Sequence, residues 1–400
     1  SNVGEIGEFR IRNSAKAFNI LSSGLYANKI KAIIRELSCN AVDSHTAAGT
    51  DKPFDIHLPT ALAPYFAIRD YGTGLDHAQV TSIYTTYFES TKTGSNDFIG
   101  ALGLGSKSPF SYTDNFTVTA IKDGRKGIYT AFINESGVPS IALMGEEQTD
   151  EPAGVEVRFA VEGRFDMQKF ESESESVFRW FKQRPNFTGK DVKITEVKYD
   201  NKDIIPGVHL RTDAHSSIAV MGNIAYPIEV PNVETNLPDV RELLRCGLVM
   251  EFGIGELDFQ ASREGLSYIP STIEAIKAKL AKVNTALTKV LSTEADAIPN
   301  LWDRAMFLTK KKEHRLWNAA VLEYVKTSSL PTFDAKHGYG PRTATFKFKV
   351  EDLAAKYNIA IKGLEQSRGS KTIKNSKTHT EYGDKKPDGH YITWQEWHIP

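Results

Sequence analysis

Apolar residues recur at helical spacing over residues 28–46, where Ile30, Ile33, Ile34, Leu37 and Ala41 share one face. The period then shortens. FDIHL (54–58) and YFAIRD (65–70) read as strands, the second ending in a polar residue. FTVTAIK (116–122), GIYTAFIN (127–134) and GVEVRFA (154–160) read as three more, with Asp123 and Gly124 as a hairpin turn. Residues 71–105 are rich in Gly, Thr and Ser and too long for a plain connection, so a functional loop or lid is expected there. Residues 165–184 read as a helix that stops before Pro185. A second mixed region holds DVKITEVKYD (191–200), SSIAVMGNIAYPIEV (216–230) and CGLVMEFGIGELDF (246–259). A long helix is expected over 271–292 and another over 298–326. TATFKFKV (343–350) alternates as a strand does, and 364–390 holds few apolar groups and reads as a mobile segment. Helical and strand runs mix throughout, which gives an α+β class.

One polar stripe interrupts the first helix. At about 100° per residue, Asn40 lies about 40° from Glu36 and Asp43 about 20° to the other side. Such a stripe can face a cleft between helix and sheet. A glutamate there can act as general base toward water, and an asparagine oxygen suits Mg2+, which favours hard ligands. RDYGTGL (69–75) puts Asp70 at a strand end, where its carboxylate can accept from an amino group such as adenine N6. Gly72 and Gly74 would let the backbone approach a flat ring. FIGALGLGSKSPFS (98–111) spaces Gly100, Gly103 and Gly105 before Ser106, a candidate helix start. Glycines and a helix N-terminus together can aim backbone N–H groups at phosphate. The run is neither the Walker pattern nor the Rossmann order, and each of the three pieces alone is unspecific.

Composition narrows the class. The 400 residues allow two or three domains, and 40% hydrophobic with 25% charged residues is ordinary for a soluble globular chain. No stretch approaches the roughly 20 apolar residues that span a bilayer, and no signal peptide is read at the start. Two cysteines, Cys39 and Cys246, are no disulfide framework and suggest a reducing compartment. The ten histidines show no paired zinc spacing. Net charge is −1, but residues 305–380 hold 15 Lys plus Arg against 6 Asp plus Glu. That basic stretch could meet nucleic acid, anionic lipid or an acidic partner, or be a solvated linker.

The order of the three pieces, and their spacing of about 30 residues each, resemble the N, G1 and G2 boxes of the GHKL ATPase superfamily, which holds DNA gyrase, the heat-shock chaperone, histidine kinases and MutL. The resemblance implies a Bergerat-type α/β sandwich binding ATP and Mg2+. It makes Glu36 the general base for water and Asn40 the Mg2+ ligand. Asp70 becomes the adenine-binding carboxylate, with Gly72 and Gly74 lining the base pocket. Gly100, Gly103 and Gly105, followed by Ser106 and Lys107, become the lid on the triphosphate. STK (90–92) is similar to the T-S-K of MutL-type proteins, which brings Thr91 and Lys92 toward the phosphates. Asp43 fits a positioning role rather than a catalytic one. The Gly-Thr expected before the last strand is absent: PAGVEV (152–157) has Ala153 there, which puts nucleotide affinity in doubt.

GELDFQASREGLS (255–267) resembles the chaperone's middle-domain segment whose arginine reaches the γ-phosphate across a domain boundary, and so marks Arg263. Runs from about Phe18 to Leu266, SNDFIGALGLGSKSPFSYTD (95–114) above all, are similar to the rIIA lysis-inhibition family of T-even phages. That likeness implies a phage ATPase acting as a conformational switch in lysis control or defence against exclusion. It also implies host cytoplasm, peripheral at the inner membrane, and an rIIB-like partner. An ATP-dependent homodimer is expected, with GEFRIRNSAKAF (7–18) as a crossing arm. The implied domains are 1–187 for ATP binding, 188–292 as an S5-like transducer and 293–400 as a helical, partly flexible basic region. Two other readings stay open. One is a DNA-acting ATPase of the MutL or topoisomerase B kind; the other is a scaffold that holds nucleotide with little turnover. Whether the natural chain continues past Pro400 is also left open.

Overall fold

The computed structural model describes residues 15–22, 24–86, 104–200, 203–233 and 238–328, and six short strands between 332 and 394. The chain forms two compact units. One comprises Ser1–Lys198, Ile218–Glu229 and Val249–Ala275; the other comprises Tyr199–Ser217, Val230–Leu248 and Ile276–Pro400.

The first unit carries the functional candidates. Its helices are α1 (Ala15–Ser22), α2 (Lys29–Ala48), α3 (His77–Thr85) and α4 (Arg164–Phe178). Its main sheet has β1 (Asp55–His57), β2 (Tyr65–Arg69), β3 (Asn115–Lys122), β4 (Arg125–Ile133), β5 (Pro139–Gln148), β6 (Gly154–Ala160) and β7 (Asn186–Thr188). The order is β5-β4-β3-β6-β2-β1-β7, antiparallel except for the β1–β7 pair. The β3–β4 turn is the expected hairpin: Asp123 and Gly124 both take positive φ, 51° and 73°, as a tight primed turn requires.

Helix α2 has both its signals. Asn28 caps the start by accepting from the Lys31 N–H, and Gly49 ends it at φ 65°. Ile33 and Ile34 are fully buried, which stabilises the fold by roughly 1.5–3 kcal/mol each. Phe66 on β2 stacks on Phe170 of α4 at 4.9 Å between centroids and lies 5.5 Å from Phe159 of β6. These rings fill the layer between sheet and helices.

After β7, a short strand β8 (Val208–Leu210) belongs to the second unit. In the first unit β9 (Ile218–Met221) pairs antiparallel with β10 (Ile224–Pro227) and parallel with β11 (Leu248–Phe252). The second unit has α5 (Pro238–Glu242), most of α6 (Pro270–Asp296), α7 (Leu301–Lys312) and α8 (Asn318–Thr327). Among the described residues no helix is long and apolar enough to cross a membrane.

Several expectations need correction. The stretch 71–105 is not all loop, because α3 stands inside it. Asp76 and Gln79 form a capping box, and Val80 and Tyr84, four apart, are buried. The exposed edge strand β5 carries little apolar alternation and was not expected. The helix expected to 184 ends at Phe178, where Phe178 and Phe181 meet edge to face at 5.0 Å. The single helix expected over 298–326 is two, broken at residues 313–317. Within 364–390, strands Glu365–Ser367, Ser370–Asn375 and Thr378–Glu381 pair in register.

Candidate functional site

Helix α2 carries a polar stripe along a buried course. Glu36 and Asp43 are 5% and 1% exposed, so each carboxylate must be compensated inside the protein. For Glu36 the compensation is two arginines. Arg35 donates to Oε1 through Nε and Nη2 at 3.2 and 3.1 Å. Arg263 donates to Oε2 through Nη1 at 3.3 Å. Arg35 also donates to the backbone carbonyls of Ser262 and Arg263, at 2.6 and 2.9 Å. The loop that holds Arg263 is thereby fastened to the helix by the same side chain that grips Glu36. Glu264 adds a second fastening, accepting from the Ala27 and Asn28 N–H groups at 3.0 and 2.9 Å.

Arg263 lies in the same compact unit as Glu36. Its backbone is left-handed, φ 55°, a strained state for a non-glycine residue. Its Nε is buried without a hydrogen-bond partner. A buried guanidinium with an unused donor, beside a carboxylate, is a group suited to a further anion.

The glycine-rich segment reaches this end of the helix. A Cβ on Gly105 would stand 3.0 Å from Glu36 Oε2 and 3.4 Å from Asn40 Nδ2, so the backbone at 105 lies directly over both. Residues Gly105–Ser111 form a 3-10 turn rather than the α-helix start expected at Ser106, with Pro109 inside it. Ser106 is half-buried there. Lys107 is buried and its Nζ donates to the Thr86 carbonyl at 2.8 Å. Thr91, Lys92, Gly100 and Gly103 lie outside the described residues.

The other end of α2 holds Asp70. This carboxylate accepts from the Gly72 N–H at 2.9 Å and the Val155 N–H at 3.2 Å, and from the Ser44 hydroxyl of α2. Burial pushes its pKa above the usual carboxylate value, against the pull of those bonds and of nearby Arg69 and His45. Gly72 and Gly74 serve the fold here. A Cβ on Gly72 would fall 2.0 Å from Ser44 Oγ, and one on Gly74, at φ 66°, 1.9 Å from the Ile121 carbonyl. The room these glycines give is taken by helix and strand. Ala153 is half-buried just before β6.

The residues missed in the sequence are Arg35, Ser44 and His45. Ser44 continues the stripe, four residues beyond Asn40, and the helical period alone could have found it. Arg35 gave no such signal, because neighbours in a helix do not face each other and its other partners are more than 200 residues away. Cys39 is fully buried, and burial pushes its thiol up to about 12, out of reach of thiolate chemistry. Among the described residues no cluster of three His, Cys, Asp or Glu could hold a metal.

No family model matches the chain, and no curated protein matches it. Among solved structures, the ATPase region of Saccharomyces cerevisiae topoisomerase II is similar at 15% identity and TM-score 0.42, covering 64% of this chain and 85% of that one. The same region bound to ICRF-187 (dexrazoxane) is similar at 15% identity and TM-score 0.42, covering 63% and 84%.

Proposed function

We propose that the chain is a GHKL-type ATPase whose nucleotide lies along α2, adenine at Asp70 and phosphates beside Glu36. One observation carries this reading: a single helix touches every piece. Glu36 and Asn40 lie under Gly105, and Ser44, farther along, holds Asp70. Asp70 is an ionisable acceptor at the base-holding end. Arg263, with its orphaned Nε, is a donor at the phosphate end. Asn40 is half-buried and offers an oxygen to Mg2+, which takes most of its remaining ligands from phosphate and water. The metal would supply charge neutralisation on the phosphates.

Glu36 is the general base of this reading. Its Oε2 is engaged by Arg263, so taking a proton from water needs that contact to yield. The γ-phosphate is the anion that competes for the arginine. Arg263 then serves both as sensor of the phosphate and as release for the base. Lys107, at the end of the glycine run, belongs to the lid segment. Asp43 is a positioning group.

In the finer version the protein is an rIIA-like phage switch that dimerises on ATP, along the 1–187, 188–292 and 293–400 division. The motif runs quoted above support it. Contacts of 305–380 with membrane or nucleic acid, and an rIIB-like partner, belong to the same proposal. Steady-state phosphate release with Glu36→Ala tests the core of it. Hydrolysis unchanged by that substitution would remove Glu36 as base and the mechanism with it. Size-exclusion chromatography with ADP and with a non-hydrolysable ATP analogue tests the switch, which requires a shift with the analogue alone.

A further inference from the structure

His45 is buried at the C-terminal end of α2, and its two ring nitrogens are both spoken for. Nε2 lies 2.7 Å from the backbone nitrogen of Tyr71. A backbone N–H can only donate, so Nε2 must be bare. An imidazole that is bare at Nε2 carries its one proton on Nδ1. The Gln183 amide nitrogen, 3.5 Å from Nδ1, donates instead to the Lys52 carbonyl at 3.1 Å. The ring therefore has one tautomer and one charge state that fit: neutral, protonated on Nδ1.

Tyr71 sits between the two residues that define the base-holding turn. Asp70 precedes it, and the Gly72 N–H that follows holds the Asp70 carboxylate. We infer that neutral His45 is a positioning residue for the adenine end of the site: it pins the Asp70–Gly72 turn to α2, and protonation of its ring releases that turn. The inference rests on the ATP reading above, and it adds a pH-dependent control to that site.

The groups around the ring come from three segments. Asp70 attracts the protonated form, while Lys52 and Arg69 repel it. Phe54 meets the ring edge to face at 6.1 Å, Tyr71 is tilted against it at 6.4 Å, and Gln183 closes the remaining side. Burial is the largest influence and holds the imidazole below its ordinary value of 6.5. The neutral form therefore predominates at and above that value, and the contact is lost as pH falls through the lowered one. A protonated ring would face the Tyr71 N–H with a second donor. Leaving that amide unsatisfied weakens what depends on the turn by roughly tenfold to a hundredfold.

The test measures Mg-ADP affinity by titration calorimetry between about pH 5 and 8, on the wild type, His45→Gln and His45→Phe. Glutamine keeps an acceptor but cannot titrate. Phenylalanine keeps the ring and removes the acceptor. We expect wild-type affinity to fall as pH drops. His45→Gln should hold its high-pH affinity further down, leaving only the loss due to Asp70. His45→Phe should bind roughly tenfold more weakly throughout, with the loss in hydrolysis falling on KM rather than kcat. Nitrogen-15 NMR of the imidazole should show Nδ1–H at neutral pH without nucleotide. An Nε2–H tautomer overturns the inference, as does a pH profile that His45→Gln leaves unaltered or an affinity that His45→Phe leaves at the wild-type level. A wild type that binds no ADP at any pH sinks the ATP reading, and this inference with it.

Discussion

The two ends of helix α2 bury polar groups by opposite means. At Glu36 the helix uses full charges, one carboxylate between two guanidinium groups. At Asp70 it uses hydrogen bonds to neutral groups, with Ser44 on the carboxylate beside two backbone N–H groups and His45 on the next backbone N–H. The first arrangement can be rearranged by another charge. The second is a set of directed hydrogen bonds, which adding a proton to His45 or Asp70 rearranges. On the ATP reading, the difference separates an end suited to reaction from an end suited to recognition.

Four substitutions would sharpen or break that contrast. Glu36→Gln should lower ATP hydrolysis by roughly 100-fold to 10,000-fold with nucleotide binding retained, measured by phosphate release and calorimetry. Equal loss of binding would mean that the two ends are not separable. Arg263→Met leaves a buried carboxylate short of a partner and should destabilise the protein by about 3–5 kcal/mol, read from denaturant midpoints. At the recognition end, Gly74→Ala forces a Cβ onto the Ile121 carbonyl at positive φ and should cost more than about 2 kcal/mol, with little specific effect on kcat. Asp70→Asn gives the smallest stability effect and the clearest sign. Because burial raises the pKa of Asp70, its protonated form favours folding; that stabilising influence is present at low pH and lost as pH rises through the raised value. The asparagine variant should remove that slope from the apparent Tm while weakening nucleotide binding by at least about tenfold.

Much of this was legible in the chain because it is local. The period of Ile30, Ile33, Ile34 and Leu37 located α2, and the same period set Glu36 and Asn40 on one stripe. Asp123-Gly124 announced its hairpin through backbone preference alone. What stayed hidden depends on distant partners. Arg35 reads as an ordinary helix residue until Ser262 and Arg263, more than 200 positions later, offer it two carbonyls. Gly72 and Gly74 suggested room for a ligand, whereas the space beside each is filled by Ser44 and Ile121. The capping box of α3 was readable, but only Val80 and Tyr84 are buried behind it, too few apolar positions to mark a helical period.

A helix is also a ruler. Glu36 and Ser44 are eight residues apart, and at about 1.5 Å each the two ends stand about 12 Å from one another along the axis. A rigid rod of that length sets the size of what can bridge it. If ATP lies along it, adenosine would span only the recognition end, and pyrophosphate only the reactive one. On the ATP reading each fragment binds feebly by itself, and a molecule that joins them gains far more than their sum, because engaging one end fixes the distance to the other.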